Sequence, residues 1–409
     1  MTTSAARLIH RGWQVSPYTA KTRAYLSYKR LPFTDVEPSL FSLYTTVRKN
    51  VGQVIMPTVE LQSGKWLQDS SAIIDHFENE EHERPEKSSR RLLLPHCRPP
   101  SSSSSSSSSD AALPLVASSL LELFGDEFLI AAALHYRWGR GPVPYNFALG
   151  EFARCGLPFL PSFVATPLVG PVGAKMRDYF PVMGINKETG KGIEECVTIL
   201  LAAMEKQLGT SPYVLGSRPC IGDFAIYGPL WAHLYRDGGA PEIWGPNVLR
   251  WMNKMTTGSH HDGVEVAKTT SREQTEEAIE TLAPVFKMIV EDSLPFSRAV
   301  VGAIDKYCEA NKSATKLPRS LGPTPIEWRG VKATRKMPPF HQWKVQRVCE
   351  AYEGGGEKGR VEVDKWLRML SGSDATVIPR INNPIGRDDR FKEFLVGRTG
   401  AGAERQKKT

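Results

Sequence analysis

Residues 54–77 read VIMPTVELQSGKWLQDSSAIIDHF. This stretch opens with β-branched and apolar residues, turns at residues 62–65, and continues with a short strand at residues 66–68. Asp69 or Ser70 can then cap a helix whose apolar residues recur at helical spacing. The stretch therefore predicts a strand, a turn, a second strand and a helix, in that order.

The chain before this stretch also alternates between strand and helix. Residues 7–12 predict a short strand, and Pro17 suits the first position of a helix that continues to Arg30. Residues 33–37 predict a second strand. Residues 7–81 are therefore expected to form one small α/β unit.

The turn Ser16-Pro17-Tyr18 lies between the first strand and the first helix. Unpaired N–H groups and the macrodipole favour negative charge at a helix N-terminus. A hydroxyl there can donate a hydrogen bond to a bound thiolate, which is the minor form of a free thiol at pH 7 because its pKa lies near 8.5. The alternative is that Ser16 is only an N-cap.

Two further elements suit a peptide ligand. A proline after Met56 is unusual inside a central strand, and a cis bond at an edge strand would explain it while turning the backbone groups of Met56 outward. Those groups can pair with an extended peptide as an added strand would. At the next helix start, the Ser70 hydroxyl suits a carboxylate and the Asp69 carboxylate suits an ammonium group.

Composition limits the classes of protein that remain. The chain has 409 residues, of which 41% are hydrophobic and 23% charged, and it contains no apolar run of the roughly 18 residues that a membrane helix needs. The six cysteines are scattered, without a CxxC pair or metal-ligand spacing. We therefore expect a cytoplasmic protein with reduced thiols and no metal; a mitochondrial location is the alternative, because Arg7 and Arg11 lie among early Ser and Thr residues.

Charge and low complexity divide the rest of the chain. Residues 82–112 predict a disordered linker that contains nine consecutive serines, and residues 113–290 are helical in pattern. Residues 291–409 hold 23 Lys and Arg against 15 Asp and Glu, whereas residues 1–290 hold 29 of each. We expect this basic C-terminal extension to have helices near residues 300–308 and 343–353, a proline-rich stretch between them, and a weakly structured tail after residue 371.

In their order and spacing, Ser16-Pro17-Tyr18, Met56-Pro57 and residues 69–73 (DSSAI) resemble the thioredoxin-like domain of the Ser- and Cys-type glutathione transferases. Residues 212–224 (PYVLGSRPCIGDF) resemble the folding motif of the family's helical domain, with Cys220 in place of the usual hydroxyl residue. Residues 135–138 (HYRW), 222–230 (GDFAIYGPL) and 342–347 (QWKVQR) resemble a longer subgroup with a C-terminal extension.

The resemblance implies a thioredoxin-like α/β domain at residues 1–81, an all-α transferase domain at residues 113–290 and a mostly helical extension. It implies that glutathione is the co-substrate, that Ser16 stabilises its thiolate, and that Met56, Pro57, Asp69 and Ser70 bind the peptide. It also implies an acceptor pocket for a small electrophile, with Tyr18, Tyr136 and Trp138 as candidates. Each of these three aromatic residues suits core or interface packing as well.

Two functions remain open at this point. The first is glutathione transfer to an electrophile, or peroxide reduction. The second is a non-catalytic binding or scaffold protein that keeps the transferase fold and uses its basic extension. The basic residues of the extension are dispersed, so nucleic-acid binding is not favoured. The resemblance also implies a possible homodimer.

Overall fold

The computed structural model describes residues 8–83, 111–258, 270–372, 377–388 and 393–397. The predicted serine-rich linker lies outside these residues except for its ends, and so does the end of the chain after residue 397.

The N-terminal part is a four-stranded mixed sheet with helices around it. Its elements are β1 (Leu8–Arg11), α1 (Pro17–Tyr28), β2 (Phe33–Val36), α2 (Leu40–Ser42), α3 (Arg48–Val51), β3 (Thr58–Glu60), β4 (Trp66–Gln68) and α4 (Ser70–Glu83). The strand order is β2-β1-β3-β4, with β1 parallel to β2 and the other pairs antiparallel. This arrangement confirms the predicted thioredoxin-like fold.

The middle of the chain is helical, as predicted. Its helices are α5 (Ala112–Leu123), α6 (Leu129–Leu134), α7 (Pro142–Gly156), α8 (Ser162–Arg177), α9 (Tyr179–Met183), α10 (Thr189–Thr210), α11 (Ile221–Pro229), α12 (Pro246–Thr257), α13 (Arg272–Thr281), α14 (Ala283–Met288) and α15 (Leu294–Ala310). Short π-helical segments continue several of them, for example Phe124–Phe128 after α5 and Ile289–Ser293 between α14 and α15. No helix among the described residues is both long and apolar enough to span a bilayer.

Helix α11 of this helical part packs against α1 of the N-terminal part. Its start is held by Asp223, whose carboxylate accepts the backbone N–H of Cys220 at 2.9 Å and that of Val214 at 3.0 Å. This is the helix start that the folding motif predicts. Farther along, a Cβ at Gly228 would lie 2.4 Å from the carbonyl oxygen of Pro17, so only a glycine allows α1 to approach α11 this closely.

The extension contains more regular structure than its sequence predicts. After α15 it forms β5 (Pro323–Trp328), β6 (Val331–Lys336), α16 (Pro339–Gly354), α17 (Gly356–Ser371), β7 (Ile385–Arg387) and β8 (Phe394–Val396). The β5–β6 hairpin occupies part of the stretch expected to be only proline-rich. The α17 helix was not predicted, and neither were the two short strands after residue 371.

The extension packs into the core of the molecule. Val59 of the sheet, Leu120 of α5 and Val345 of α16 are all 0% exposed and belong to one continuous apolar cluster. Because α16 packs against α5, removing the extension would expose the surface of the helical part that carries the charges described below.

Candidate functional site

The register of the sheet places the three predicted elements at one end of its strands, where β1 and β4 end and β3 begins. Arg11 at the end of β1 pairs with Thr58 at the start of β3, and Thr58 pairs with Gln68 at the end of β4. The turn at Ser16 follows β1, Met56-Pro57 precedes β3, and Asp69-Ser70 follows β4. All three therefore leave the sheet at the same end.

Ser16 is the N-cap of α1. Its backbone is extended, and its Oγ accepts the backbone N–H of Thr19 at 3.3 Å. Pro17 occupies the first helical position, as its fixed φ angle favours. Since the hydroxyl uses only an acceptor lone pair for the cap, its proton remains available to a ligand.

Met56 and Pro57 are joined by a cis peptide bond, the geometry that the sequence suggested. The bond precedes a strand that lies inside the sheet, between β1 and β4, and not an edge strand as we expected. Met56 lies before the first paired residue of β3, so its backbone groups are outside the strand pairing. Its Sδ lies 3.4 Å from the backbone nitrogen of Trp13, next to the turn that holds Ser16.

Asp69 and Ser70 start α4. Asp69 has a φ of +73°, and its Oδ1 accepts the backbone N–H groups of Ser71 at 3.0 Å and Ala72 at 3.1 Å. Its other oxygen, Oδ2, accepts a bond from Arg387 of β7 at 3.0 Å. Ser70 is 3% exposed, and its hydroxyl makes no hydrogen bond within the part of the chain that the structure describes.

Of the three aromatic candidates for an acceptor pocket, Tyr136 and Trp138 are packed inside the molecule, whereas Tyr18 is partly exposed. The Tyr18 hydroxyl donates to the backbone oxygen of Asp126 at 2.9 Å. Tyr136 and Trp138 are each 2% exposed, and burial raises the pKa of Tyr136 to about 12. Their role toward an acceptor substrate stays a prediction.

A buried charge cluster beside this end of the sheet was not predicted. It combines side chains of four helices: one from α1, two from α4, two from α5 or just after it, and two from α16. We call it the junction cluster, and its members are Lys21, Ser71, Asp75, Glu122, Asp126, Lys344 and Arg347. Three cations face three carboxylates, so the cluster is neutral in net charge. It joins the N-terminal sheet, the helical part and the extension.

The distances within the junction cluster are those of charge-assisted bonds. Asp126 Oδ2 lies 2.7 Å from the Nζ atoms of both Lys21 and Lys344. Arg347 places Nε 2.8 Å from Glu122 and one terminal nitrogen 2.6 Å from Asp75. Burial alone would raise the pKa of Glu122, but the neighbouring Arg347, Lys21 and Lys344 hold that pKa well below its ordinary value.

Arg137 supports the turn that carries Ser16. It is 2% exposed, pairs with Asp237, and donates to the carbonyl oxygen of Val15 at 2.8 Å. Arg137 lies in residues 135–138, one of the stretches that resemble the longer subgroup. Its contact with the turn could not be predicted from the sequence. The described residues contain no group of three or more His, Cys, Asp or Glu arranged to hold a metal ion.

Comparison with known proteins identifies the N-terminal part. The family described as "Glutathione S-transferase, N-terminal domain" matches residues 11–85. The curated proteins contain no significant match.

Three solved structures are similar to about two thirds of the chain. A glutathione S-transferase of Pseudomonas fluorescens is 18% identical, covers 63% of this chain and 98% of its own, and has a TM-score of 0.32. Glutaredoxin 2 of Salmonella typhimurium, solved with glutathione, is 13% identical over 63% of this chain and 97% of its own, with a TM-score of 0.37. The β-etherase LigF of a Sphingobium strain is 16% identical over 67% and 99%, with a TM-score of 0.39.

These structural similarities are low. The assignment comes from the match over residues 11–85 together with the strand order β2-β1-β3-β4. Residues 11–85 are therefore identified as a domain of the glutathione S-transferase N-terminal family.

Proposed function

We propose that the chain binds glutathione at the end of the sheet formed by Ser16, Met56-Pro57 and Asp69-Ser70, and transfers its thiolate to a small electrophile or uses it to reduce a peroxide. The observation that carries this proposal is the register Arg11–Thr58–Gln68, because it leads all three elements to the same end of the sheet.

Each element has one task in this proposal. The backbone of Met56, which is outside the strand pairing, binds the cysteinyl unit as an added strand would. The Ser70 hydroxyl and the start of α4 bind the γ-glutamyl carboxylate. The Ser16 hydroxyl donates to the sulfur, which favours the thiolate and lowers the pKa of the bound thiol.

The chemistry then needs only the activated thiol, since a thiolate is itself the nucleophile. It attacks the electrophilic carbon and forms the carbon–sulfur bond as the leaving group departs with its electron pair. The acceptor pocket is assigned to the side of Ser16 that faces the helical part, near Tyr18, Tyr136 and Trp138. We also propose the division of the chain at residues 81, 112 and 290 as domain boundaries.

The alternative is a binding protein that keeps the fold without turnover. The bond between Arg387 and Asp69 favours it, because that bond places a cation of the chain where the ligand's ammonium group would bind. A role of the basic extension toward an external polyanion has less support, since Arg335, Lys344 and Arg347 are each at most 5% exposed and face groups of the same chain.

Turnover of a chloronitrobenzene-type electrophile with glutathione separates the two functions. For a transferase, Ser16→Ala should lower kcat/KM by more than about tenfold, since removing one positioned donor typically costs at least that much. Ser63→Ala, in the exposed turn before β4, is the matched control and should not change the rate. Glutathione binding by a wild type that turns over neither this electrophile nor a peroxide would favour the alternative.

A further inference from the structure

The carboxylate of Asp69 is used on both of its oxygens by the chain itself. Oδ1 accepts two backbone N–H groups of α4, and Oδ2 accepts the Arg387 guanidinium at 3.0 Å. The two side chains are 11% and 10% exposed, respectively. The oxygen that would accept a ligand's ammonium group therefore already has a cation of the chain as its partner.

Arg387 is held in this position by the extension. Its guanidinium lies 5.2 Å from the ring centroid of Phe340 and 5.4 Å from those of Trp343 and Phe394, within the range of cation–π attraction. The strand that carries it is fixed, since Gln346 bonds the backbone oxygen of Ile385 at 2.9 Å and its backbone nitrogen at 2.8 Å. The contact with Asp69 is thus built into the fold.

The charges around Asp69 favour an anion over a second cation. Burial alone would raise the pKa of Asp69, but Lys344, Arg387 and the N–H of Ala72 together lower it. A ligand ammonium arriving at Oδ2 would meet the like charges of Arg387 and Lys344. A ligand carboxylate at Ser70 would meet the same cations and the start of α4, which attract it.

We propose that Arg387 sets the ligand class of the γ-glutamyl subsite by taking the position of the ligand's ammonium group at Asp69. Glutathione competes with Arg387 for Oδ2, whereas a thiol peptide with the same carboxylate and no α-amine does not. The preferred ligands are acyl-cysteinylglycine thiols whose acyl chain ends in a carboxylate; glutaryl-Cys-Gly, which is glutathione without its amine, is the probe. This inference rests on the proposed glutathione site.

The test is calorimetric titration of the full chain with glutathione and with glutaryl-Cys-Gly. The wild type should bind glutaryl-Cys-Gly at least as tightly as glutathione. Arg387→Gln should tighten glutathione about tenfold, the change that 1.4 kcal/mol produces, and should not tighten the analogue. Arg387→Lys keeps the cation and should leave glutathione weak, which separates charge from a change in packing. Arg360→Gln, in an exposed pair of the same extension, is the control.

The outcomes separate this inference from the proposed function. If glutathione binds to the wild type and its affinity is the same in Arg387→Gln, the inference is wrong and the glutathione site stands. A wild type that prefers glutathione over the analogue by more than tenfold overturns the inference as well. Failure of both compounds to bind to the wild type and to Arg387→Gln overturns the proposed function together with the inference.

Discussion

The junction cluster makes a sharp prediction about the stability of the molecule. Arg347 of α16 is 5% exposed and bonds Glu122 and Asp75 at once. Arg347→Met replaces the guanidinium with an apolar side chain that can fill part of the same space, but it leaves two carboxylates without this partner. Breaking a buried ion pair on one side costs about 3–5 kcal/mol. Because Lys21 still contacts Glu122 at 3.2 Å and Asp75 is 17% exposed, we expect the lower end, about 3 kcal/mol.

The matched control is Arg360→Met in the neighbouring helix α17. Arg360 pairs with Glu353 at 3.1 Å, but the two side chains are 37% and 65% exposed. Pairs of this kind contribute about 0–1 kcal/mol, so the control should unfold almost as the wild type does.

The assay is equilibrium unfolding in urea, followed by tryptophan fluorescence and by circular dichroism. Coinciding transitions from the two signals are required before a free energy of unfolding is taken. The loss in free energy of unfolding is then compared between Arg347→Met and Arg360→Met. If the two losses differ by less than about 1 kcal/mol, which is the size of an exposed ion pair, the view that the cluster holds the extension to the rest of the molecule is refuted.

Three further predictions concern packing, charge and a helix start. Gly228→Ala should destabilise the chain by about 1–3 kcal/mol in urea unfolding, because the new Cβ would overlap the carbonyl of Pro17; an unchanged midpoint would contradict this close approach. The pKa values of Asp69 and Glu122 are lower in the folded chain than in the unfolded chain, where they lie near 4. The stability that the two carboxylates contribute is therefore present above about pH 4, and it is lost as the pH falls through their folded pKa values. The melting temperature should accordingly decrease below about pH 4, and Arg347→Met should weaken that decrease. Asp223→Ala should cost about 1–3 kcal/mol, since the backbone N–H groups of Val214 and Cys220 and the indole N–H of Trp251 lose their acceptor; a smaller loss would argue against that role.

The sheet and the positions of the three site elements could be predicted because local signals and chain order agree there. The turn before Trp66 and the cap at Asp69 each specify a local structure, and the structure has both. The β-branched residues before the cis proline were expected to begin the strand, and this is wrong: β3 starts only at Thr58, after the cis bond. The position of β3 inside the sheet was not predicted, since strand order depends on contacts between distant residues.

The β5–β6 hairpin had a signal that prolines obscured. Arg329 and Gly330 form the two-residue loop between Trp328 and Val331, and both have positive φ angles, of 47° and 83°. That is the pattern of a type I′ hairpin turn, and alternating exposure follows in the strands. Because proline is unusual inside strands, the prolines at residues 323 and 325 led us to expect irregular structure there instead.

The junction cluster could not be predicted from the sequence. An excess of 23 basic over 15 acidic residues in the extension does not say which of them are buried. Lys344 and Arg347 are separated from Asp126 and Asp75 by more than 200 residues, and only the packing of α16 on α5 brings them together. For the same reason, the contact of Arg387 with Asp69 could not be predicted from the sequence.

The most direct test of the glutathione site is calorimetric titration of glutathione into the wild type, Ser70→Ala and Ser63→Ala. Ser70 starts α4 at the end of the sheet where the three site elements meet, whereas Ser63 lies in an exposed turn of the same domain. The account predicts one glutathione per chain in the wild type, an affinity about tenfold lower in Ser70→Ala, as the loss of a hydrogen bond to a charged group implies, and no change in Ser63→Ala. Equal affinity in Ser70→Ala and the wild type, or no binding in either the wild type or Arg387→Gln, would contradict it.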